Sequence, residues 1–235
     1  MASRGVLYLV WGRFDQTLLD RAIASVREYH PELPVEVARL GDDATLLNKA
    51  SMLDLTPFDE TVFLDADTVV LGDLGFGFDK AKRLGLACSI CECPWARRYG
   101  GIDGDIVEYN TGVLFFTKDA KPVFDNWKAR VRDIDSSIVF RSGDGLARMP
   151  MNDQAGFAMA VEETGFNLFV LPYNWNFRPK WHKSWYGPLK IWHDYEPVPE
   201  PIRQRNADQA AVNAIVDLSI LRDDLWRSGL TGTTS

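Results

Sequence analysis

The sequence lacks the features that mark membrane, secreted or nucleic-acid-binding proteins. None of its apolar runs approaches the roughly 20 residues that an α-helix needs to cross a bilayer. The N-terminal residues contain no apolar segment of the kind found in secretory signal peptides. A formal net charge of −7 disfavours binding to nucleic acids or to anionic membranes. We therefore expect a cytoplasmic protein with no transmembrane segment and no nucleic-acid partner.

Cysteine is scarce, and the three cysteines lie close together at Cys88, Cys91 and Cys93. An odd number of cysteines in a chain of this size favours reduced thiols over disulfides. The spacing of Cys88 and Cys91 would suit half of a zinc site, but no second pair of Cys or His residues follows nearby. We expect buried thiols rather than a zinc site.

The chain has 235 residues, of which 46% are hydrophobic and 25% are charged, as in an ordinary globular domain. Its first half alternates between short apolar runs and stretches with helical spacing, an order that favours an α/β fold with a mostly parallel central sheet and helices on both faces. The predicted strands are 5–10, 35–40, 62–64, 84–90, 110–116 and 168–171. The predicted helices are 16–30, 48–53, 123–131, 153–163 and 207–226, while 94–107 and 141–152 have the composition of loops.

The segment 61–70 is an apolar run interrupted by two carboxylates, Asp65 and Asp67. Both acids follow a buried strand, and open α/β sheets bind their ligands at the carboxyl ends of such strands. Two carboxylates this close repel each other unless a cation lies between them or one is protonated. The pattern therefore indicates a site for Mn²⁺ or Mg²⁺ that also binds a phosphorylated ligand. The alternative is that the two acids only end the strand and begin a turn.

Several segments, taken in order, resemble the nucleotide-sugar glycosyltransferases of the GT-A fold. The similarity is greatest to the glycogenin-like and bacterial galactosyltransferase-like members of family 8, and it extends over most of 5–193. The segments are 49–53, 63–70, 109–115, 152–154, 171–176 and 191–193. The resemblance implies a metal-dependent hexosyltransferase that uses a nucleotide-diphosphate sugar, most simply a UDP-sugar, and retains the anomeric configuration. The acceptor would be a carbohydrate, a glycan or a protein.

The resemblance also implies an arrangement of one domain over 1–235. In this arrangement 5–116 binds the nucleotide and metal, 117–193 binds the sugar and acceptor, and 194–235 forms a C-terminal extension. A homo-oligomer is compatible with the sequence.

Three residues match the metal ligands of the family: Asp65, Asp67 and His193. Carboxylates and neutral imidazole are suitable ligands for Mn²⁺, and a bound cation would neutralise the charge that develops on the diphosphate. The alternative for His193 is a hydrogen-bonded histidine at the end of a strand.

Asn110, Asp153 and Gln154 match the residues that face the donor sugar, and we take these three as the candidate catalytic residues. Asn110 would hydrogen-bond sugar hydroxyls, and Gly112 would permit close approach of the ligand. Gln154 would lie where a retaining enzyme stabilises positive charge on the sugar. The alternative for Asp153 is an acid at a helix N-terminus, with Asn152 as the N-cap.

The nucleotide is expected beside Val10, Trp11, Phe14 and Ala66, where the two aromatic rings would border the base. Lys49 would pair with a phosphate or with the carboxylates. Packing of Trp11 and Phe14 in the core, and a solvated Lys49, are the respective alternatives.

The sequence departs from the family after His193, where Asp194, Tyr195, Glu196 and Pro197 replace the expected glycine and lysine. Either another cation then holds the diphosphate, or the basic residues before His193 only form a basic surface. The candidates are Arg178, Lys180, Lys183 and Lys190. Two loop acids, Asp103 and Asp144, have the chemistry to reach an acceptor.

Two other functions use some of the same residues. A haloacid-dehalogenase-like phosphatase would use Asp65 as its nucleophile, and 143–145 resembles part of its later acidic motif. However, the nucleophile motif of those phosphatases usually follows the first strand of the chain, and it has glycine where Thr68 stands. A non-catalytic sugar-binding module would use the aromatic residues of 173–192, but it would leave the paired carboxylates without a purpose.

Overall fold

The computed structural model describes residues 3–91, 99–143, 145–182, 185 and 187–211. The strands are β1 (Arg4–Val10), β2 (Val35–Arg39), β3 (Glu60–Leu64), β4 (Thr68–Val70), β5 (Leu86–Ile90), β6 (Tyr109–Thr117), β7 (Ile138–Ser142), β8 (Gly145–Met149), β9 (Phe169–Leu171) and β10 (Ile191–His193). The helices are α1 (Gln16–Tyr29), α2 (Met52–Leu55), α3 (Gly75–Leu84), α4 (Lys121–Arg130), α5 (Gln154–Thr164) and α6 (Glu200–Ala211). None of the helices in these ranges combines the length and the apolar character needed to cross a membrane.

The central sheet has the strand order β2-β1-β3-β6-β5-β9. Strand β1 pairs in parallel with β2 and β3, and β5 pairs in parallel with β9. Strand β6 is antiparallel to both of its neighbours, β3 and β5. The mostly parallel α/β sheet predicted from the sequence is therefore confirmed. Because β6 runs the opposite way, its first residues lie at the carboxyl ends of the parallel strands, beside the loop that follows β3.

The sheet is buried on both faces, which explains why its central strands are continuous apolar runs. On one face Leu7 and Phe63 pack with Trp127 of α4 and Phe157 of α5. On the other face alternate residues of the same strands, including Tyr8, pack against α1 and α3. Burying each large apolar side chain stabilises the fold by about 1.5–3 kcal/mol, so this two-sided packing holds the loops at the carboxyl edge in place.

Helix α1 agrees with its predicted range of 16–30. The side chain of Asp15 accepts a hydrogen bond from the Thr17 amide and caps the N-terminus. The helix ends at Tyr29, before Pro31, because proline cannot continue the hydrogen-bonding pattern.

The structure corrects the sequence prediction around 75–90. The strand predicted at 84–90 begins only at Leu86, because Leu84 is the last residue of α3. The sequence does not predict helix α3, because the helix contains Gly75 and Gly77, which lower helix propensity. Tertiary packing explains one of them: a Cβ at Gly77 would lie 2.5 Å from the ring of Phe115. The glycine lets the helix approach the sheet.

The segment predicted as a loop at 141–152 instead contains most of a hairpin made by β7 and β8. None of the β8 side chains is fully buried, and Leu146 is 73% exposed. Gly143, with φ of +59°, forms the turn. The sequence therefore lacked the period-two signal of a half-buried strand.

Two other helix predictions are revised. The segment 48–53 forms a 3₁₀ helix over Leu46–Ser51 that leads directly into α2. Helix α6 begins at Glu200, seven residues before the predicted start of 207, because Pro201 is tolerated in a first helical turn. The predicted part beyond 211 lies outside the described residues.

Candidate functional site

Asp65, Asp67 and His193 form one cluster, in which one ligand atom from each lies within 4.8 Å of the others. Both acids lie on the loop between β3 and β4. His193 is the last residue of β10, which pairs with β4 in antiparallel register and places His193 opposite Thr68. Its Nε2 lies 3.3 Å from Asp67 Oδ1 and 3.9 Å from Asp65 Oδ2. Strand pairing thus brings the three residues together as predicted.

The donor set of this cluster suits a small divalent cation. Carboxylate oxygens and one imidazole nitrogen are ligands that Mn²⁺ accepts, and Mg²⁺ prefers the carboxylates. Gly112 on β6 provides the space: a Cβ there would lie 2.4 Å from His193 Cε1 and 2.7 Å from Asp65 Oδ2. Among the described residues, no other group of three His, Cys, Asp or Glu side chains is arranged to hold a metal.

Asp67 is held as a carboxylate by its neighbours. Burial alone would raise its pKa, but attraction to the protonated form of the His193 ring and a hydrogen bond from that form outweigh burial, and Lys49 adds to the effect. The pKa falls from 3.8 to about 2. Asp67 is therefore ionised, as a metal ligand must be.

Lys49 lies beneath the cluster and is only 3% exposed. Its Nζ is 2.6 Å from Asp65 Oδ1 and 2.8 Å from Oδ2. Burial lowers the pKa of Lys49, but the charges of Asp65, Asp153 and Asp67 and the hydrogen bond to Asp65 reverse this and raise the pKa overall. Lys49 is therefore paired with a carboxylate and is not a solvated lysine.

Asp153 precedes α5 and is 2% exposed. Its Oδ2 accepts a hydrogen bond of 2.5 Å from the Thr111 hydroxyl. Burial raises the pKa of Asp153 and the charge of Asp65 adds to this, although Lys49 and Thr111 act against it. The capping role belongs to Asn152, whose Oδ1 accepts from the Gln154 amide at 3.0 Å. The Asp153 side chain makes no capping bond, so it is available for another role.

Asn110 and Gly112 belong to a buried hydrogen-bond network at the start of β6. Asn110 Oδ1 accepts from the Gly112 amide at 2.9 Å and from Asn176 Nδ2 at 3.0 Å. Asn176 Oδ1 in turn lies 2.7 Å from His193 Nδ1. Asn176 is not among the residues predicted for the site, and nothing in its local sequence pattern distinguishes it from the neighbouring Asn174.

A cleft of about 470 Å³ lies beside the cluster and contains the residues predicted to border the nucleotide. Val10, Trp11, Phe14 and Ala66 line it together with both acids of the cluster. Tyr195, which the sequence analysis did not assign to the nucleotide, also lines it. Its position two residues after His193 was the available signal.

A second cleft, of about 490 Å³, contains the predicted donor-sugar residues together with the whole metal cluster. Lys49, Asn110, Gly112, Asp153 and Gln154 all line it. The two clefts share Leu46, Asp65, Asp67 and Tyr195, so the cluster lies at their junction. The second cleft is also lined by residues that the sequence did not predict to bind a ligand: Leu46, Tyr99, Glu108, Thr111, Arg148, Met149, Asn152 and Trp181.

Tyr195 is fixed through its backbone, although its side chain is 71% exposed. Arg21 of α1 donates to the carbonyl oxygens of Tyr195 and Asp194, at 2.8 Å in both cases. The Asp194 amide donates to the Asp67 carbonyl at 3.0 Å. An exposed aromatic ring on an anchored segment at the junction of two clefts is suited to contact with a ligand.

The structure separates the four cations proposed for the diphosphate. Arg178 and Lys180 line the second cleft. Lys190 packs against Gly72, where a Cβ would lie 3.4 Å from its Nζ. Lys183 lies outside the described residues.

The remaining predictions for loop acids and cysteines fall elsewhere. Asp103 lines a separate acidic pocket with Asp105 and Glu162, and Asp144 lies outside the described residues. Cys88 and Cys91 are buried free thiols, as expected. Cys93 also lies outside the described residues.

No protein-family model matches the chain, and no curated protein sequence matches it. Solved structures do match. The galactosyltransferase LgtC, in complex with donor and acceptor sugar analogs, has a TM-score of 0.54 at 13% identity, over 96% of this chain and 100% of that chain. Mouse xyloside xylosyltransferase 1 has a TM-score of 0.55 at 12% identity, over 83% of this chain and 99% of that chain. The glycosyltransferase GlyE of Streptococcus pneumoniae has a TM-score of 0.52 at 13% identity, over 97% of this chain and 64% of that chain.

At identities this low the likeness establishes the fold and leaves function to be argued from the site. These neighbours have the GT-A fold. The chain therefore has the GT-A fold that its sequence motifs predicted.

Proposed function

We propose that the protein is a metal-dependent glycosyltransferase that moves a hexose from a UDP-sugar to a carbohydrate, glycan or protein acceptor with retention of configuration. The carrying observation is the Asp65–Asp67–His193 cluster at the junction of two clefts on a GT-A fold. One cleft has aromatic walls suited to a base, and the other has amide and carboxylate groups suited to a sugar. The diphosphate between base and sugar would then lie at the metal cluster.

Asp65, Asp67 and His193 would hold Mn²⁺ or Mg²⁺. When bound, the cation would act as a Lewis acid that neutralises charge on the departing diphosphate. The protein itself orients one of these ligands, because Asn176 contacts the imidazole of His193. Such preorganisation reduces the cost of reorganising the site during the reaction.

Arg178 and Lys180 are the cations that we assign to the diphosphate. They line the same cleft as the metal cluster, whereas Lys190 packs elsewhere. They would replace the lysine that the family has after the metal histidine. A guanidinium group can bind two phosphate oxygens at once, which makes Arg178 the stronger candidate.

Asn110, Asp153 and Gln154 would bind the donor sugar. Asn110 Oδ1 is occupied by Gly112 and Asn176, so its Nδ2 is the group that would donate to a sugar hydroxyl. Asp153 would accept from hydroxyl groups, with its carboxylate oriented by Thr111. Gln154 lines the same cleft, where its amide oxygen would stabilise positive charge on the sugar ring.

The base would lie in the cleft beside Val10 and Ala66, bordered by Trp11, Phe14 and Tyr195. Aromatic rings stack on planar bases with little loss of side-chain entropy. In this arrangement 5–116 supplies most of the nucleotide and metal contacts, and 117–193 supplies most of the sugar contacts. The extension 194–235 contributes Tyr195 to both clefts.

Calorimetric titration of UDP into the protein, once with Mn²⁺ and once with EDTA, tests the proposal. We expect binding with Mn²⁺ and its loss with EDTA. UDP-sugars would then be screened for slow hydrolysis, and NMR of the first-formed anomer would report the stereochemistry. Absence of UDP and GDP binding under both conditions, with hydrolysis of a generic phosphate ester, would contradict the proposal and favour the phosphatase.

A further inference from the structure

Four groups form a buried hydrogen-bonded chain that ends at the candidate metal ligand His193. The Gly112 amide donates to Asn110 Oδ1, Asn176 Nδ2 donates to the same oxygen, and Asn176 Oδ1 is paired with His193 Nδ1. The heavy-atom distances are 2.9, 3.0 and 2.7 Å. Asn110, Asn176 and His193 are exposed by only 3%, 1% and 8%. Water therefore has little access to replace any of these bonds.

The direction of every bond in this chain follows from its first member. A backbone N–H can only donate, so the Asn110 atom facing Gly112 is the carbonyl oxygen. The Asn176 atom facing that oxygen must then be the amide nitrogen. The other end of the Asn176 amide is therefore its oxygen, and an oxygen can only accept. His193 Nδ1 must carry the proton in this bond.

This proton position matters because the other ring nitrogen faces the carboxylates. His193 Nε2 lies 3.3 Å from Asp67 Oδ1. Without the chain, a neutral ring would favour a proton on Nε2, since it could then donate to Asp67. That tautomer has no lone pair on Nε2 and cannot bind a metal through it. The hydrogen-bonded chain disfavours the Nε2–H tautomer, because its unprotonated Nδ1 would face Asn176 Oδ1 with no proton between the two acceptors.

We propose that Asn176 is a positioning residue that holds neutral His193 as its Nδ1–H tautomer and so keeps the Nε2 lone pair open for a divalent cation. This inference rests on the metal site of the proposed function. It adds a residue that contacts neither the cation nor the nucleotide. Partners of this kind typically contribute 10–100-fold to metal affinity, so we expect a loss of roughly that size when Asn176 is removed.

Two substitutions at Asn176 separate its roles. Asn176→Leu removes the acceptor while keeping a similar volume. Asn176→Asp keeps an oxygen that accepts from Nδ1–H but loses the donor to Asn110 Oδ1. Asn174→Leu is the matched control, because Asn174 donates to the Pro188 carbonyl at 2.9 Å and forms no hydrogen bond with His193. Its loss affects the same segment of chain without touching the metal cluster.

The first measurement is the ¹⁵N spectrum of the His193 ring in the metal-free protein, recorded at a pH above which the ring signals no longer change. We expect the Nδ1–H tautomer in the wild type, in Asn176→Asp and in Asn174→Leu. We expect a shift toward Nε2–H in Asn176→Leu. An Nε2–H ring in the wild type would overturn the inference, even if Asn176→Leu failed to fold.

The second measurement is Mn²⁺ affinity by calorimetry. We expect Asn176→Leu to bind roughly 10–100-fold more weakly than the wild type, and Asn174→Leu to bind equally well. Unchanged affinity in a folded Asn176→Leu variant would overturn the inference. Failure of the wild type to bind Mn²⁺ would instead overturn the proposed function, and the ring spectrum would still decide the tautomer.

Discussion

Lys49 forms an ion pair with Asp65, one of the three residues of the candidate metal cluster. Its Nζ lies 2.6 Å from one carboxylate oxygen and 2.8 Å from the other. The side chain of Lys49 is 4% exposed and that of Asp65 is 24% exposed. The lysine therefore compensates the charge of Asp65. It also places a positive charge next to any cation that binds at the cluster.

Replacing this lysine should have opposite effects on stability and on metal affinity. We expect Lys49→Met to lower the free energy of unfolding of the metal-free protein by about 1–3 kcal/mol, because charged hydrogen bonds are lost and Asp65 is left without its partner. We also expect several-fold tighter Mn²⁺ binding, because a neighbouring positive charge is gone. Urea unfolding in EDTA and calorimetry measure the two quantities.

Lys190→Met is the control for this prediction, since Lys190 packs against Gly72 and lies outside both clefts. It should change metal affinity little. Weaker Mn²⁺ binding in Lys49→Met would instead mean that Lys49 holds Asp65 in its ligand position.

Asp67→Ala should abolish Mn²⁺-dependent UDP binding without unfolding the domain. The substitution removes a ligand whose carboxylate is ionised, with a pKa of about 2. Calorimetry with Mn²⁺ measures the loss, and circular dichroism checks the fold. Asp73→Ala is the control, because the Asp73 side chain is 73% exposed and lies outside the cluster. Retained metal-dependent binding in Asp67→Ala would count heavily against the proposed site.

Gly112→Ala should damage the site through a single added methyl group. The new Cβ would lie 2.4 Å from His193 Cε1 and 2.7 Å from Asp65 Oδ2, so one of these two ligands must move. We expect at least tenfold weaker Mn²⁺ binding and a stability loss of about 1–3 kcal/mol from overpacking. Gly100→Ala, where an added Cβ meets nothing within 4 Å, is the control for calorimetry and thermal unfolding. Equal Mn²⁺ affinity in the two variants would show that the ligands do not need this space.

Glu60→Gln tests an ion pair at the opposite end of the sheet from the site. Glu60 is 5% exposed, and Oε2 accepts from Arg4 at 2.7 and 2.9 Å. Burial raises the pKa of Glu60, but Arg4 and then Lys82 outweigh it, so the pKa lies below its ordinary value of 4.5. A carboxyl whose pKa is lower in the folded protein stabilises the fold above its unfolded pKa, and this contribution is lost as the pH falls through the folded value.

We therefore expect Glu60→Gln to cost about 1–3 kcal/mol at neutral pH. The difference from the wild type should shrink as the pH falls below 4.5. Urea unfolding over a pH series measures it. Asp79→Asn is the control, because Asp79 is 71% exposed and lies 3.5 Å from the same arginine. A difference that grows toward acid pH would refute the assigned direction of the pKa shift.

The sequence predicted local features well because each had a continuous pattern. The apolar run of β1, the helical spacing of α1 and the acids after β3 are all readable within a few neighbouring residues. Helix α3 and the β7–β8 hairpin were missed. Gly77 in α3 makes sense only beside Phe115, and the hairpin has exposed residues where a strand pattern needs buried ones.

By itself, the sequence determined the candidates for the proposed chemistry: two carboxylates after a buried strand, one histidine among three, and an asparagine, an aspartate and a glutamine in recognisable segments. Only the tertiary structure decided how they meet. The pairing of β10 with β4 brings His193 to Asp67, and the reversed direction of β6 brings Asn110 and Gly112 to the same edge. The role of Asn176 depends on hydrogen bonds between residues distant in sequence, whose polarity is fixed by one backbone amide. No local pattern encodes such a chain, because its members become neighbours only after the sheet has formed.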